Sequence, residues 1–208
     1  MYLEKPITTY LEDAASNKPA PGGGSISALA GALGASMSAM AANFTVGKEK
    51  YKEVEPQVRE LLDESMKIMN ACSKIVEDDV TAYNNYTSAS KMPKETDEQK
   101  AARTAAMQEA LKGAMAVPME LVRNCAAQVG VADKLVDIAN PYLISDVGVS
   151  VLLAEAAMQG ARLNVEINLK YLKDKDLVEK TRKELDETLA SCEGIRARVF
   201  DKVIKVVS

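Results

Sequence analysis

Apolar positions recur along this chain at helical spacing almost throughout, and no stretch alternates as a half-buried strand does. Ile7 to Ser16 reads as a short amphipathic helix, with Ile7, Leu11 and Ala14 or Ala15 on one side. A loop over 17–24 follows, Ser25 is placed to cap the next helix, and that helix runs to about Thr45. Ala28, Gly31, Ala32, Ala35, Ser38, Ala39 and Ala42 fall on or near one of its faces, so a neighbouring backbone can come close. A long helix begins near Glu53, tolerates Pro56 in its first turn and ends before Pro93. Its apolar face carries Val58, Leu61, Leu62, Met69, Cys72, Ile75, Val76, Val80 and Tyr83. Thr96 or Asp97 caps a helix over about 98–128, where Pro118 should kink the axis and leave a carbonyl unpaired. A short helix over 131–139 leads to the Asn140-Pro141 turn. Two further helices are expected, from Ser145 to about Leu172 and over roughly 174–205. The pattern predicts an all-α, up-and-down type helical bundle of six or seven helices in a single domain, residues 1–208.

Composition agrees with that reading. Of 208 residues 47% are hydrophobic and 27% charged, aromatics are only 4% and Trp is absent. Such a chain fills its core with Ala, Leu, Val and Met, which suits closely packed helices. The net charge of −4 comes with no basic stripe, so no nucleic-acid partner is expected. Residues 19–47 carry no charge, but they are Gly, Ala, Ser, Thr and Asn more than large apolar residues. A stretch of that kind inserts weakly in a bilayer, so no membrane span is expected. The acidic Glu4, Glu12 and Asp13 before it do not suit a signal peptide, and the reading is a cytoplasmic protein.

Histidine is absent. That excludes His-based triads, His-ligated zinc and an imidazole proton shuttle. Cys72, Cys125 and Cys192 lie too far apart for metal-ligand spacing and read as reduced core thiols. Acid–base chemistry must come from Asp, Glu, Lys, Tyr or a bound cofactor.

Several groups could carry chemistry, each with a plain structural alternative. The turn Gly22-Gly23-Gly24-Ser25 could bring a ligand to the backbone N–H groups of a helix N-terminus, or let two helices touch. Asp79 shares its helical angle with Leu61 and lies beside Cys72 and Val76, while Asp78 points to the solvent side. A carboxylate on an apolar stripe has a raised pKa unless paired, which suits a general base; a buried salt bridge is the alternative. The run Lys48-Glu49-Lys50-Tyr51-Lys52 could meet an anion or be a solvated loop. Asn164 and Asn168 share a face and could read an amide-like heterocycle edge or form a polar layer. Ser145-Asp146 heads a helix, where capping is the default role of Ser145. Arg103 could be a ligand cation or an interhelical tether.

Taken in order, these pieces resemble one family. Pro21-Gly22-Gly23-Gly24-Ser25 with the following Ala-Leu-Ala-Gly-Ala-Leu-Gly-Ala is similar to the opening of the cyclodeaminase/cyclohydrolase family of folate enzymes. Asn43-Phe44-Thr45-Val46-Gly47-Lys48 with Tyr51, Asp78-Asp79 with Ala82-Tyr83, and Met92-Pro93-Lys94 continue the resemblance. Arg103, Ala116-Val117-Pro118, Ser145-Asp146 and Asn164-Val165-Glu166-Ile167-Asn168 complete it over nearly the whole chain. Tyr83 stands where the family commonly has phenylalanine. The resemblance implies one of two activities. One is hydrolysis of 5,10-methenyltetrahydrofolate to 10-formyltetrahydrofolate; the other is loss of ammonia from 5-formiminotetrahydrofolate with ring closure. The segments 96–103 and 108–112 look more like the stand-alone cyclohydrolases. By the same resemblance Asp79 is the base and Gly22 to Ser25 lie beside the pterin or bridge carbon. Asn43, Tyr51, Ser145, Asp146, Asn164 and Asn168 join the substrate-binding set, and Lys48, Arg103 and Lys112 meet the tail carboxylates. It further implies a homodimer, no metal and no cofactor beyond the tetrahydrofolate substrate. A non-catalytic helical scaffold is the contrasting class.

Overall fold

Six α-helices form in the computed structural model, which describes residues 1–208. They are α1 (Ile7–Ala14), α2 (Gly23–Asn43), α3 (Glu55–Ser90), α4 (Asp97–Ile138), α5 (Ile144–Leu169) and α6 (Lys175–Val207), and there is no strand. Short 3-10 turns stand at Tyr2–Glu4, Glu49–Tyr51 and Pro141–Leu143. The all-α bundle expected from the periodicity is what forms, with six helices.

The termini follow local chemistry. Thr96 and Gln99 make a reciprocal capping box at the start of α4, and the Asp174 carboxylate accepts the Leu177 N–H at the start of α6. Two expected caps move. Gly22 holds the cap position of α2, and Ser25 sits inside the first turn. Leu143 holds it on α5, because the 3-10 turn after Asn140 runs directly into the helix; Ser145 lies exposed in the first turn.

The separate helices expected at 98–128 and 131–139 are one 42-residue helix. A mid-helix glycine costs only about 1 kcal/mol relative to alanine. Around Gly130 the neighbours Val129, Val131 and Ala132 are buried, and that packing outweighs the local preference. Pro118 does not end α4 either. The carbonyl it deprives of a partner, on Ala114, accepts a hydrogen bond from the side-chain amide of Asn168 on α5 at 3.1 Å.

The long helices pack against one another: α2 on α3 and α5, α3 on α4, α4 on α5 and α6, and α5 on α6. One cluster of 38 buried residues runs through them. Small residues let α2 and α5 lie close; a Cβ at Gly34 would stand 3.1 Å from the Ser150 carbonyl oxygen. Mid-bundle, the buried Gln128 amide donates to Ser38 Oγ at 2.6 Å and Ser150 Oγ at 2.9 Å, linking α4, α2 and α5. The Gln128 Oε1 has no partner. Both α2 and the segment Pro141–Leu169 are long and apolar enough to cross a membrane, and 61% and 50% of their most apolar windows are buried inside the bundle.

Candidate active site

The first N–H groups of a helix have no intrahelical acceptor, and with glycine at the cap position no capping side chain of α2 itself serves them. The Ser25 N–H instead donates to Asp79 Oδ2 on α3, at 3.0 Å. The approach is possible only because residue 24 lacks a side chain: a Cβ there would lie 2.0 Å from Asp79 Oδ1. Both suggested roles of the glycine turn, packing and exposure of backbone N–H groups, therefore coexist.

Asp79 is half-buried, and no lysine or arginine forms an ion pair with it. The salt-bridge alternative is thus set aside. Burial pushes its carboxyl above the ordinary value, and the Ser25 N–H only partly offsets this. Asp78 pairs instead with Lys74 on its own helix. The Ser25 hydroxyl is engaged by the buried Tyr10 hydroxyl at 2.9 Å, so Ser25 meets Asp79 through its backbone.

Opposite stand the two asparagines of α5. Asn168 Nδ2 donates both to the Ala114 carbonyl and, at 2.7 Å, to the Asn164 carbonyl. Its two N–H bonds are thereby used, leaving the Oδ1 acceptor free. Asn164 donates to the Gly160 carbonyl at 2.8 Å and passes close to Gly23. These groups, with Tyr83, Tyr86 and Ile167, enclose a cleft of about 170 Å³ that contains no cationic side chain. A longer groove of about 770 Å³ between α3 and α4 shares Ala82 and Ala114 with it and runs on past Asn85 and Ala110. No three His, Cys, Asp or Glu side chains gather as a metal site.

The structure therefore brings together Gly22, Gly23, Gly24, the Ser25 backbone, Asp79, Asn164 and Asn168. It places the other sequence candidates elsewhere. Arg103 Nε donates to the Ser90 carbonyl at 2.9 Å, tethering the ends of α3 and α4. Lys112 pairs with Asp174 at 3.5 Å. Asn43, Lys48, Tyr51, Ser145 and Asp146 lie at the far end, where the Tyr51 hydroxyl donates to Asn140 Oδ1 at 3.2 Å. The 21 residues of α2 separate them from the cleft by about 30 Å within one chain. Tyr86, Ile167, Tyr10 and Ala114 were not foreseen. Tyr86 follows Asp79 by seven residues, two turns on the same face, and Ala114 lies four before Pro118; both spacings were available. Nothing in the sequence singled out Tyr10.

A family model described as formiminotransferase-cyclodeaminase matches residues 6–187. The chain belongs to that family. It is 40% identical over 197 residues to the methenyltetrahydrofolate cyclohydrolase of Methylorubrum extorquens, covering 95% of each chain. It is 31% identical over 201 residues to the formimidoyltransferase-cyclodeaminase of Sus scrofa, covering 97% of this chain and 37% of that longer protein. Its fold is similar to the crystal structure of formiminotetrahydrofolate cyclodeaminase from Thermotoga maritima, with a TM-score of 0.81 and 27% identity over 99% of this chain and 97% of that one. This formiminotransferase-cyclodeaminase family chain thus has full-length similarity to proteins named for both activities.

Proposed function

We propose that the chain, acting as one unit, is a 5,10-methenyltetrahydrofolate cyclohydrolase. The observation that carries this reading is Asp79: a half-buried carboxylate with no cationic partner, hydrogen-bonded by a helix N-terminal N–H at the wall of a cleft. An amidinium bridge carrying positive charge complements that carboxylate. Asp79 takes a proton from water as its oxygen bonds to the bridge carbon, giving a tetrahedral centre between N5 and N10. It returns the proton to N5 as the C–N5 bond breaks. The hydroxyl proton of the centre leaves to solvent, and 10-formyltetrahydrofolate results. The Asn168 Oδ1 offers an acceptor to a ring N–H. The similarity to the M. extorquens cyclohydrolase across 95% of both chains supports this choice between the family's activities.

The cleft is smaller than the ~300 Å³ at which sites for drug-sized ligands begin, so it suits the ring system, with the tail outside. Arg103 is the cation proposed for the tail within one chain; Lys48, at the far end of α2, would meet a tail only from a partner copy, and Lys112 reaches it only by leaving Asp174. We place the protein in the cytoplasm as a homodimer, without metal or cofactor beyond the tetrahydrofolate substrate and with no nucleic acid or membrane as partner. The reduced, buried thiols of Cys72, Cys125 and Cys192 fit that compartment.

The test is loss of methenyltetrahydrofolate near-ultraviolet absorbance above the spontaneous rate. A rate equal to the blank would refute it. Cyclodeamination is the second reading, supported by the fold of the T. maritima enzyme. There the same carboxylate would carry a proton from N10 to the departing ammonia. Ammonia release from 5-formiminotetrahydrofolate without methenyltetrahydrofolate hydrolysis would select it. If tetrahydrofolate fails to raise the melting temperature and neither reaction proceeds, a non-catalytic scaffold is left.

A further inference from the structure

The N-terminal arm reaches the candidate site through one side chain. Tyr10 is the only buried residue of α1, at 3% exposure, whereas Ile7 and Leu11 of the same helix are 67% and 57% exposed. A buried phenol needs a partner for its hydroxyl, and here the partner is the Ser25 hydroxyl at 2.9 Å, itself fully buried. The Tyr10 ring is placed from its other side by Tyr2, which meets it edge-to-face at 5.3 Å. Tyr2 is tied in turn through its hydroxyl to Asp13 at 3.2 Å and to the Ala20 carbonyl at 3.1 Å. Its N–H donates to Glu77 on α3, two residues before Asp79. The arm is thus fixed to α3, and Tyr10 carries that fixture to the start of α2.

The start of α2 needs an anchor. Gly22 at the cap and Gly23 and Gly24 at the first two helical positions are all glycine, and no side chain caps them. Glycine gives up more backbone freedom on winding into a helix than any other residue, so this turn is disposed to fray. Ser25 is the first residue of α2 with a side chain, and its hydroxyl bonds outside the helix, to Tyr10. The next hydroxyl, on Ser27, bonds back to the Gly23 carbonyl at 2.7 Å and holds the turn only to itself. Yet the N–H that meets Asp79 Oδ2 at 3.0 Å belongs to this glycine-built turn. Neither Tyr10 nor Ser25 lines the cleft, so neither hydroxyl is offered to a substrate. Burial holds the Tyr10 phenol above its ordinary value, so it stays a neutral hydroxyl around neutral pH.

We propose that Tyr10 is the positioning residue of the candidate base: by holding the Ser25 side chain it keeps the first turn of α2 wound and the Ser25 N–H on Asp79 Oδ2. The link runs from α1 through α2 to α3 by two hydrogen bonds that share one residue. Few other titratable groups face this corner. The arm brings Tyr2, while its Asp13 and Lys18 pair with each other; α3 brings Glu77, Tyr83 and Tyr86. No ionisable residue occurs in α2, and α4 and α5 present the neutral Ala114, Asn164, Ile167 and Asn168. The consequence for catalysis rests on the folate reading above; the coupling of Tyr10 to Asp79 does not.

The test observes Asp79 both without substrate and in turnover. The carbon-13 resonance of its carboxyl, identified by its loss in Asp79→Asn, is titrated in the free protein. In Tyr10→Phe the turn loosens and the N–H that favours the ionised form is weakened, so the titration should move up by about half a pH unit or more. Above the acid limb, kcat for methenyltetrahydrofolate hydrolysis should fall about tenfold with KM within about twofold, short of the ~10² cost of a 1 Å misplacement. Tyr10→Phe also strands the buried Ser25 hydroxyl and should melt lower; adding Ser25→Ala removes that hydroxyl and should restore the melting temperature while the titration stays displaced. Thr45→Ala deletes a buried hydroxyl at the far end of α2 and should melt lower with the Asp79 titration unchanged. A titration unmoved by Tyr10→Phe overturns the proposal. So does one that returns to native together with the melting temperature in the double variant, or one displaced equally by Thr45→Ala. A displaced titration with kcat unchanged would refute the part of Tyr10 in the reaction. A displaced titration in a chain whose native form hydrolyses nothing supports the coupling and counts against the folate reading alone.

Discussion

Replacing Gly24 by alanine puts the relation between the glycine turn and Asp79 to a direct test. The added Cβ would lie 2.0 Å from Oδ1, 2.6 Å from Cγ and 2.9 Å from Oδ2 of Asp79. To restore ordinary contact the carboxylate must retreat by about 1.4 Å, and its hydrogen bond to the Ser25 N–H cannot survive that in its present form. A reacting group misplaced by about 1 Å can cost 10²-fold, and losing a general base costs about 10²–10⁴-fold. We therefore expect kcat/KM for methenyltetrahydrofolate hydrolysis to fall by about 10²–10³. Asp79→Ala alone should fall at least as far. In the double variant the Asp79→Ala truncation removes the clash, so Gly24→Ala should add less than about threefold to the kinetic loss, the non-additivity of two groups acting as one. In that background the alanine should also raise stability, by about 0.5–1 kcal/mol, because it replaces a helical glycine. The readouts are initial rates from absorbance decay and urea midpoints. A Gly24→Ala enzyme within about twofold of the native rate would refute the link, as would full multiplication of the two losses.

Three further outcomes follow from the same geometry. Asp79 must be ionised to act as base, and its carboxyl is raised, so the acid limb of kcat/KM should lie above the ordinary carboxylate value; a limb at or below about 4 contradicts this. A carboxyl raised in the folded state leaves stability unaffected below its unfolded pKa and lowers it once pH exceeds the folded pKa, so Asp79→Asn should melt no lower than native at pH 7 and lose that advantage by pH 3 while hydrolysing about 10²–10⁴ times more slowly. Asn168→Ala should destabilise by about 1–3 kcal/mol by orphaning the Ala114 carbonyl, and adding Pro118→Ala, which restores a backbone N–H to that carbonyl, should recover most of it; equal melting of single and double variants would sink the pairing.

Much of the fold was legible in the chain because its helices announce themselves through periodicity and caps, as Thr96 and Asp174 do. The junction at Gly130 was misread for a physical reason: intrinsic propensity is a small term beside the burial of Val129, Val131 and Leu135. Asp79 stood out as a charge on an apolar stripe, but its release from any salt bridge depends on what other helices bring near it. The same limit applies to Pro118. The orphaned carbonyl could be counted on one helix; the amide that satisfies it belongs to another, 54 residues later. Lys48, Asn43 and Ser145 show the converse: a motif's order along the chain says little about which end of a 30 Å bundle its parts will occupy.

The buried layer of Ser38, Gln128 and Ser150 bears on this last point. Apolar helix faces tolerate sliding, since one hydrocarbon neighbour replaces another. A hydroxyl–amide–hydroxyl layer does not: displacement by one turn, about 5.4 Å, would strand three polar groups in hydrocarbon. The layer therefore makes axial alignment a discrete choice and indexes α2 against α4 and α5. The alignment it selects is also the one in which Gly24 meets Asp79 and Gly23 meets Asn164. A polar triplet near mid-bundle thus acts as a ruler for a cleft that it never touches.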